Sequence, residues 1–334
     1  MTALPTTVSD RTEAELIAGI QAYLRPAPAW IAVGIGDDAA VVEPERNRLE
    51  VLTVDALVDG VHFDRRFVPP DAVGHRALAV NLSDIAAMGA EPRLALLSLA
   101  MPAEWPLQEF ESFASGFAQL AARHHVHLVG GNLTRTSGPL VVDVTVVGTV
   151  KRRCVLARGG ARPGDAVFVS GTIGSAAAGL DQLRQSGPTP PANACVERYL
   201  RPEPRMRLGA LLGRNRAASA CMDLSDGLAD GARQIAAASG VGMVIDGGLV
   251  PIEPDARTWF EQHGRDALFE AVTGGDDYEL MFTCRPKLGG RFRTVARQCG
   301  VALTRVGVCT AGTDVLLDRG GRSEPMPRGY GHFR

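Results

Sequence analysis

The chain has 334 residues, 46% hydrophobic and 22% charged, with a formal net charge of −2. At about 150 residues per domain this predicts roughly two domains, with a core large enough to need no disulfide or structural metal. The near-neutral balance excludes a basic field for wrapping nucleic acid, and a P-loop is excluded because the two lysines, Lys151 and Lys287, follow Val150 and Pro286 rather than a glycine-rich turn.

Taken in chain order, Met1–Leu16 has no basic start and no apolar core, so no signal peptide is predicted. Thr12-x-x-Glu15 is a capping box, which starts a helix over 13–24. Strands are predicted at 49–54, 93–99, 126–129 and 140–150, and helices at 72–88 and 107–124. The apolar stretches near 94–103 and 140–150 are too short or too interrupted to span a bilayer. Gly159-Gly-Ala-Arg-Pro-Gly-Asp165 is a turn-rich joint, so the domains are expected at 1–151 and 152–334. Beyond it come a strand (166–170), a glycine turn leading into a helix (171–184), a Pro-rich loop (186–193), and helices at 206–212 and 228–239 with Gly240 as stop. A strand at 243–245, the GGDD segment, a strand at 278–283, a helix at 291–299 and strands at 301–308 and 315–317 complete a mixed α/β fold. The six cysteines form no C-x-x-C pair, which predicts reduced thiols and a cytoplasmic setting.

Glycine is abundant, with 38 residues against a usual ~7% of a chain. Five segments set glycine or small residues beside aspartate: Gly34–Ala39, Thr53–Asp55, Asn81–Asp84, Asp223–Gly227 and Gly274–Glu279. They carry Asp37, Asp38, Asp55, Asp84, Asp223, Asp226, Asp276 and Asp277. One such motif is ordinarily a helix cap or a turn. Five together point to carboxylates gathered for Mg²⁺, a hard cation held by a few carboxylates and phosphate oxygens. Asp223 and Asp226, three apart, are expected to share a face at a helix start. His124, His125 and His127 are read as a solvated helix end. Gly171–Gly174 is open between a helix cap and an anion cradle.

GIGDDAAV, TVDALVDGVHF, RALAVNLSDIAAMGA, GGNLTR, MDLSDGL and GGDDYEL follow in order, and the chain closes with GYGHF. This ordered set resembles the thiamine-monophosphate kinase family, within the aminoimidazole ribonucleotide synthetase superfamily, over essentially the whole chain. The resemblance implies an N-terminal α/β domain pairing with its twin in a dimer barrel, a larger C-terminal α/β domain, and a homodimer. It implies transfer of the γ-phosphoryl of ATP to thiamine monophosphate with several Mg²⁺ ions, and neither nucleic acid nor membrane as partner.

Residue by residue, it implies Asp38, Thr53, Val54, Asp55, Asp84, Asn132, Asp223 and Asp226 as the metal set, with Thr53 assisting Asp38. Gly131, Asn132, Arg158 and Ser225 would contact ATP. His62, Asp276 and Tyr330 would bound the thiamine phosphate pocket. Two positions depart from the family pattern: Asn132 stands where many members carry Asp, and Asp276 where Glu is common. The acceptor oxygen belongs to an ionised phosphate, so no general base is expected. The alternatives are another ATP-using enzyme of the superfamily, or a non-catalytic nucleotide or thiamine phosphate binding protein. A selenophosphate synthetase would want a reactive Cys near the N-terminus, and no Cys precedes Cys154.

Overall fold

The computed structural model describes residues 6–186 and 193–329. The chain divides into two compact units. One comprises the residues up to Leu82 together with Pro92–Thr149; the other comprises Ser83–Glu91 and the chain from Val150 onward.

The first unit opens with α1 (Glu13–Gln21), whose capping box forms as the sequence predicts: Glu15 N–H donates to Thr12 Oγ1 at 3.3 Å, and Thr12 N–H to Glu15 Oε2 at 2.8 Å. Two short antiparallel strands, β1 (Ile31–Val33) and β2 (Val41–Val42), flank the GIGDD turn. A four-stranded sheet follows, with β3 (Leu49–Val58), β4 (Glu91–Pro102), β5 (His127–Thr136) and β6 (Val141–Val150) in the order β3-β6-β4-β5. Leu97, Leu99 and Met101 of β4 and Val142, Val144 and Val146 of β6 alternate into the core. Burying each such side chain contributes about 1.5–3 kcal/mol. Leu52 and Val54 on β3 point the other way and are 68% and 59% exposed. The helices are α2 (Pro70–Ala87) and the amphipathic α3 (Leu107–Arg123), which buries Phe110, Phe113 and Phe117. The last turn and a half of α2 is counted with the second unit.

The second unit is built on a seven-stranded sheet. Its strands are β7 (Ala166–Ser170), β8 (Ala220–Asp223), β9 (Gly242–Asp246), β10 (Leu280–Cys284), β11 (Leu303–Thr310), β12 (Val315–Asp318) and β13 (Ser323–Pro325). They lie in the order β13-β12-β9-β11-β7-β10-β8. All neighbours are antiparallel except β9 and β12. Its helices are α4 (Ser175–Ser186), α5 (Ala194–Leu200), α6 (Met206–Asn215), α7 (Leu228–Ser239), α8 (Pro254–Gln262), α9 (Ala267–Thr273) and α10 (Gly289–Gln298). Period-two alternation splits the core between the faces of the sheet. Val167, Val169 and Met281 pack with Leu228, Ala232 and Ile235 of α7. Phe168, Leu280 and Phe282 pack with Leu208 and Leu212 of α6 and Val295 of α10. Gly240 takes the left-handed conformation at φ 65° and stops α7 as expected.

Several elements differ from the sequence reading. The strand predicted to end at Val129 runs on to Thr136, through GGNLTR, because β5 lies parallel along β4 from Leu94 to Pro102. The glycine turn at 171–174 does lead into a helix, which begins at Ser175. The short helices α5 and α8 carry no long periodic pattern and were not foreseen. Most of the Pro-rich segment 186–193 lies outside the described residues. Among the described residues, no helix is long and apolar enough to cross a membrane.

Candidate functional site

In the second unit the two Leu-Ser-Asp motifs meet. Ser83 Oγ donates to Asp223 Oδ2 at 2.7 Å across 140 residues of sequence. Ser83 is fully buried and Asp223 only 4% exposed, so this charge-assisted bond is formed away from bulk water. Asp84, the next residue on α2, is half-buried. Asp223 is the last residue of β8, not a helical residue, which corrects the expectation that it shares a helix face with Asp226. Asp226 sits in the turn before α7. The cap position of that helix is Gly227, which has φ 90° and no side-chain cap, so the ordinary reading of an aspartate there as a cap does not hold. A Cβ on Gly227 would stand 2.4 Å from Gly274 O, so the turn can approach GGDD only as glycine.

The GGDDYE segment is laced to the same turn. β8 and β10 pair antiparallel, Asp223 opposite Leu280. The ladder continues past the strands: Leu224 N–H donates to Glu279 O at 2.8 Å, Tyr278 N–H to Leu224 O at 3.1 Å, and Asp276 N–H to Ser225 O at 2.7 Å. Asp276 and Tyr278 hold left-handed φ values of 70° and 49°. Side chains rarely adopt that region, at a cost of about 1–3 kcal/mol each. Tyr278 Oη donates to Asp276 Oδ1 at 3.2 Å. Asp223, Ser225, Asp226 and Asp276 are thereby braced on two adjoining backbone segments.

Asp277 and Glu279 turn inward instead. Asp277 is 1% exposed and accepts from the N–H groups of Gly174, at 2.7 Å, and Ala176, at 3.2 Å. It closes the turn before α4, which resolves the choice left open at Gly171–Gly174 in favour of a cap. Burial pushes its carboxyl up to about 7, against the opposing pull of those amides. Glu279 is fully buried, accepts from Ser170 Oγ at 2.5 Å and Arg205 Nε at 2.7 Å, and is also paired with Arg198. Sequence reasoning missed Ser83, Ser170, Arg198, Arg205 and Glu279 as supports of these loops. Nothing in the local spacing of Arg198 and Arg205 ties them to Glu279, which lies 81 and 74 residues away.

Arg158 is exposed, and its Nη1 donates to Gln234 Oε1 on α7 at 2.5 Å. Gln234 in turn donates to Asp230, one helical turn nearer Asp226. Tyr330 lies outside the described residues.

The first unit holds the remaining candidates. Asp38 is exposed in the GIGDD turn, its N–H bonded to Asp37 Oδ1 at 2.8 Å. Thr53 and Asp55 share the half-buried side of β3, and Val54 lies on the exposed side, so only its carbonyl could serve a metal. His62 Nδ1 accepts from Val58 N–H at 3.0 Å, which closes the turn after β3 and fixes the proton of a neutral ring on Nε2. Asn132 is exposed on β5 opposite Ser98. A Cβ on neighbouring Gly131 would fall 1.8 Å from Leu97 O, so β5 keeps its register on β4 only with glycine there.

The candidate metal donors are all oxygens, which suits Mg²⁺ and not a thiolate-seeking metal. The six cysteines are buried, and burial pushes up the Cys221 thiol near Asp223, keeping it protonated. Among the described residues no three His, Cys, Asp or Glu side chains form a ready-made metal cage. Magnesium commonly takes only one or two protein carboxylates and completes its shell with water and substrate phosphates. The donor set therefore fits a metal that arrives with a nucleotide.

Residues 36–150 match the AIR synthase related protein N-terminal domain, and residues 162–318 match the corresponding C-terminal domain. The thiamine-monophosphate kinase of Escherichia coli K12 is 38% identical, the match covering 96% of this chain and 98% of that protein. The chain belongs to the thiamine-monophosphate kinase family. The crystal structure of the Stenotrophomonas maltophilia K279a thiamine-monophosphate kinase is 39% identical, with a TM-score of 0.82 over 92% of this chain and 96% of that one. AaThiL, solved in complex with AMPPCP and TMP, is 33% identical, with a TM-score of 0.76 over 90% of this chain and 92% of that one. The family carries the mixed α/β fold of paired AIR synthase related domains seen here.

Proposed function

We propose that this chain transfers the γ-phosphoryl group of ATP directly to thiamine monophosphate, giving thiamine diphosphate. The single observation that carries the reading is the Ser83–Asp223 bond beside the laced DLSDG and GGDDYE turns. It brings the carboxylate-bearing ends of α2 and β8 together and fixes the segment with Asp276 against them. The ligand pair on AaThiL supplies the matching donor analogue and acceptor.

Asp84, Asp223 and Asp226 in the second unit, and Asp38, Thr53, Asp55, Asn132 and the Val54 carbonyl in the first, would hold magnesium. When bound, that metal neutralises phosphate charge and aligns the two anions. Ser83 restrains one Asp223 oxygen and so fixes the orientation of the carboxylate. Gly131 and Ser225 offer backbone and hydroxyl contacts to ATP, and Arg158 a guanidinium oriented by Gln234. His62, Asp276 and Tyr330 bound the acceptor. Asn132 keeps an oxygen donor but lacks the charge of the family's aspartate. In-line attack by an ionised phosphate oxygen needs no protein base.

The open face of β3, with Leu52 and Val54, supports pairing with a second copy of the chain. The free cysteines support a reducing, cytoplasmic setting. The test is a single-turnover reaction of the chain with ATP, thiamine monophosphate and Mg²⁺. Thiamine diphosphate appearing at the rate ATP disappears is the expected result. Tight binding of both ligands without product would leave a binding protein instead.

A further inference from the structure

We propose that Asn81 is a positioning residue for the metal. Its side-chain carbonyl accepts a hydrogen bond from a water in the shell of the magnesium assigned to Asp84, and the proposal rests on the function proposed above.

Asn81 lies in the interior of α2, a helix of 18 residues. It is fully buried, as are Leu78, Leu82 and Ile85 on the same helix. An amide suits neither the helix position nor the apolar company: Asn favours caps and turns, and its polar atoms lose water when buried. Nδ2 donates to Ala77 O at 3.1 Å, one turn back on α2. Oδ1 is shielded from solvent and has no hydrogen-bond partner among the described residues. Turning the amide over would set Oδ1 against Ala77 O, two acceptors face to face, so the orientation is fixed. A buried polar atom without a protein partner ordinarily meets an ordered water or ion.

Asp84 follows Asn81 by three residues, so the two are neighbours on one side of α2. Helical side chains lean toward the N-terminus, which carries the Asp84 carboxylate over the turn of Asn81. The Asn-Leu-Ser-Asp run thus offers three different oxygens. Asn81 has an unpartnered carbonyl, Ser83 a hydroxyl committed to Asp223, and Asp84 a carboxylate. Magnesium keeps several of its waters, and their protons need acceptors. A neutral carbonyl serves one of them without adding negative charge beside the phosphates. Asn81 touches no reactant in this scheme; it fixes the hydrated side of the metal.

The experiment measures Mn²⁺ retained by the full chain in equilibrium dialysis with the ATP analogue AMPPCP, alongside thermal melting of the metal-free chain. The variants are Asn81→Leu and Asn81→Asp. Asn81→Leu keeps the branching of the side chain and removes the buried orphan oxygen, so without metal it is expected to melt a few degrees higher than wild type. Its affinity for Mn²⁺ is expected to fall about tenfold. Asn81→Asp keeps an acceptor oxygen but buries a charge, so it melts lower while binding Mn²⁺ within about threefold of wild type. A merely structural amide would instead lower stability and affinity together in both variants. The proposal is overturned if Asn81→Leu binds as wild type does, melts lower or fails to fold, or if Asn81→Asp loses affinity as Asn81→Leu does. A wild-type chain that retains no Mn²⁺ with AMPPCP overturns the metal set of the proposed function. Wild-type retention matched by Asn81→Leu overturns this inference alone.

Discussion

Ser83 Oγ and Asp223 Oδ2 lie 2.7 Å apart in a buried hydrogen bond between the end of α2 and the end of β8. Ser83→Ala removes the donor and takes one hydrogen bond from the buried Asp223 carboxylate, at a cost of about 1–3 kcal/mol. Activity is expected to fall about tenfold, with the Mg²⁺ dependence displaced to higher concentration, and thermal unfolding to shift down by a few degrees. Titrating kcat against Mg²⁺ checks this. An unaltered curve would remove Ser83 from the site.

Asp84→Asn keeps size and an oxygen while discarding the charge. A loss of kcat of about 100-fold or more is expected, since charge neutralisation is the main demand of phosphoryl transfer. The denaturant midpoint should move little, because Asp84 is only half-buried. Near-normal turnover at saturating Mg²⁺ would rule out its role as a ligand.

Gln234→Ala frees Arg158 from the 2.5 Å contact that orients it. The pair is exposed, so the effect is small: KM for ATP up about threefold and KM for thiamine monophosphate unchanged. Steady-state kinetics with each substrate varied in turn checks this. A rise confined to the thiamine monophosphate side would contradict it.

Asp277 makes folding pH-dependent. Its carboxyl titrates near 7 when folded, raised from the ordinary 3.8 chiefly by burial. Between those values the folded chain holds a proton that the unfolded chain has released. The stabilisation is fully present below about pH 4 and is lost as pH rises through about 7. Denaturation of the wild type at pH 5 and pH 8 should show that decline, and Asp277→Asn should flatten it. Equal slopes in the two proteins would place the dependence elsewhere.

Leu52→Asp and Val54→Asp put charge on the open side of β3, where no core contact is lost. If that side pairs with a second copy, both variants run as monomers in light scattering while the wild type runs as a dimer. A monomeric wild type would dispose of the pairing.

Much of the fold was legible because its signals are local. Thr12 and Glu15 announce α1, Gly240 ends α7, and the alternation in Val141–Val150 marks a buried strand. The acidic motifs were legible as a set for the same reason. What stayed hidden is long-range. β5 is continued through two glycines by its parallel partner β4, an alignment no local propensity encodes. Asp276 and Asp277 are adjacent and chemically identical, yet a left-handed φ at Asp276 and burial at Asp277 send them to different tasks. Glu279 reads as an ordinary strand-edge acid until Arg198, Arg205 and Ser170 arrive from elsewhere in the chain.

The β8–β10 pairing has one more effect. Neighbouring strands sit about 4.8 Å apart, so the gap between DLSDG and GGDDYE is set by a sheet spacing that thermal motion scarcely alters. The residues proposed for the acceptor and for the cation would in this sense be mounted on one ruler. Under the proposed function, a change of side-chain length at Asp276 would have little loop slack to absorb it, because Asp276 N–H is bonded to Ser225 O at 2.7 Å.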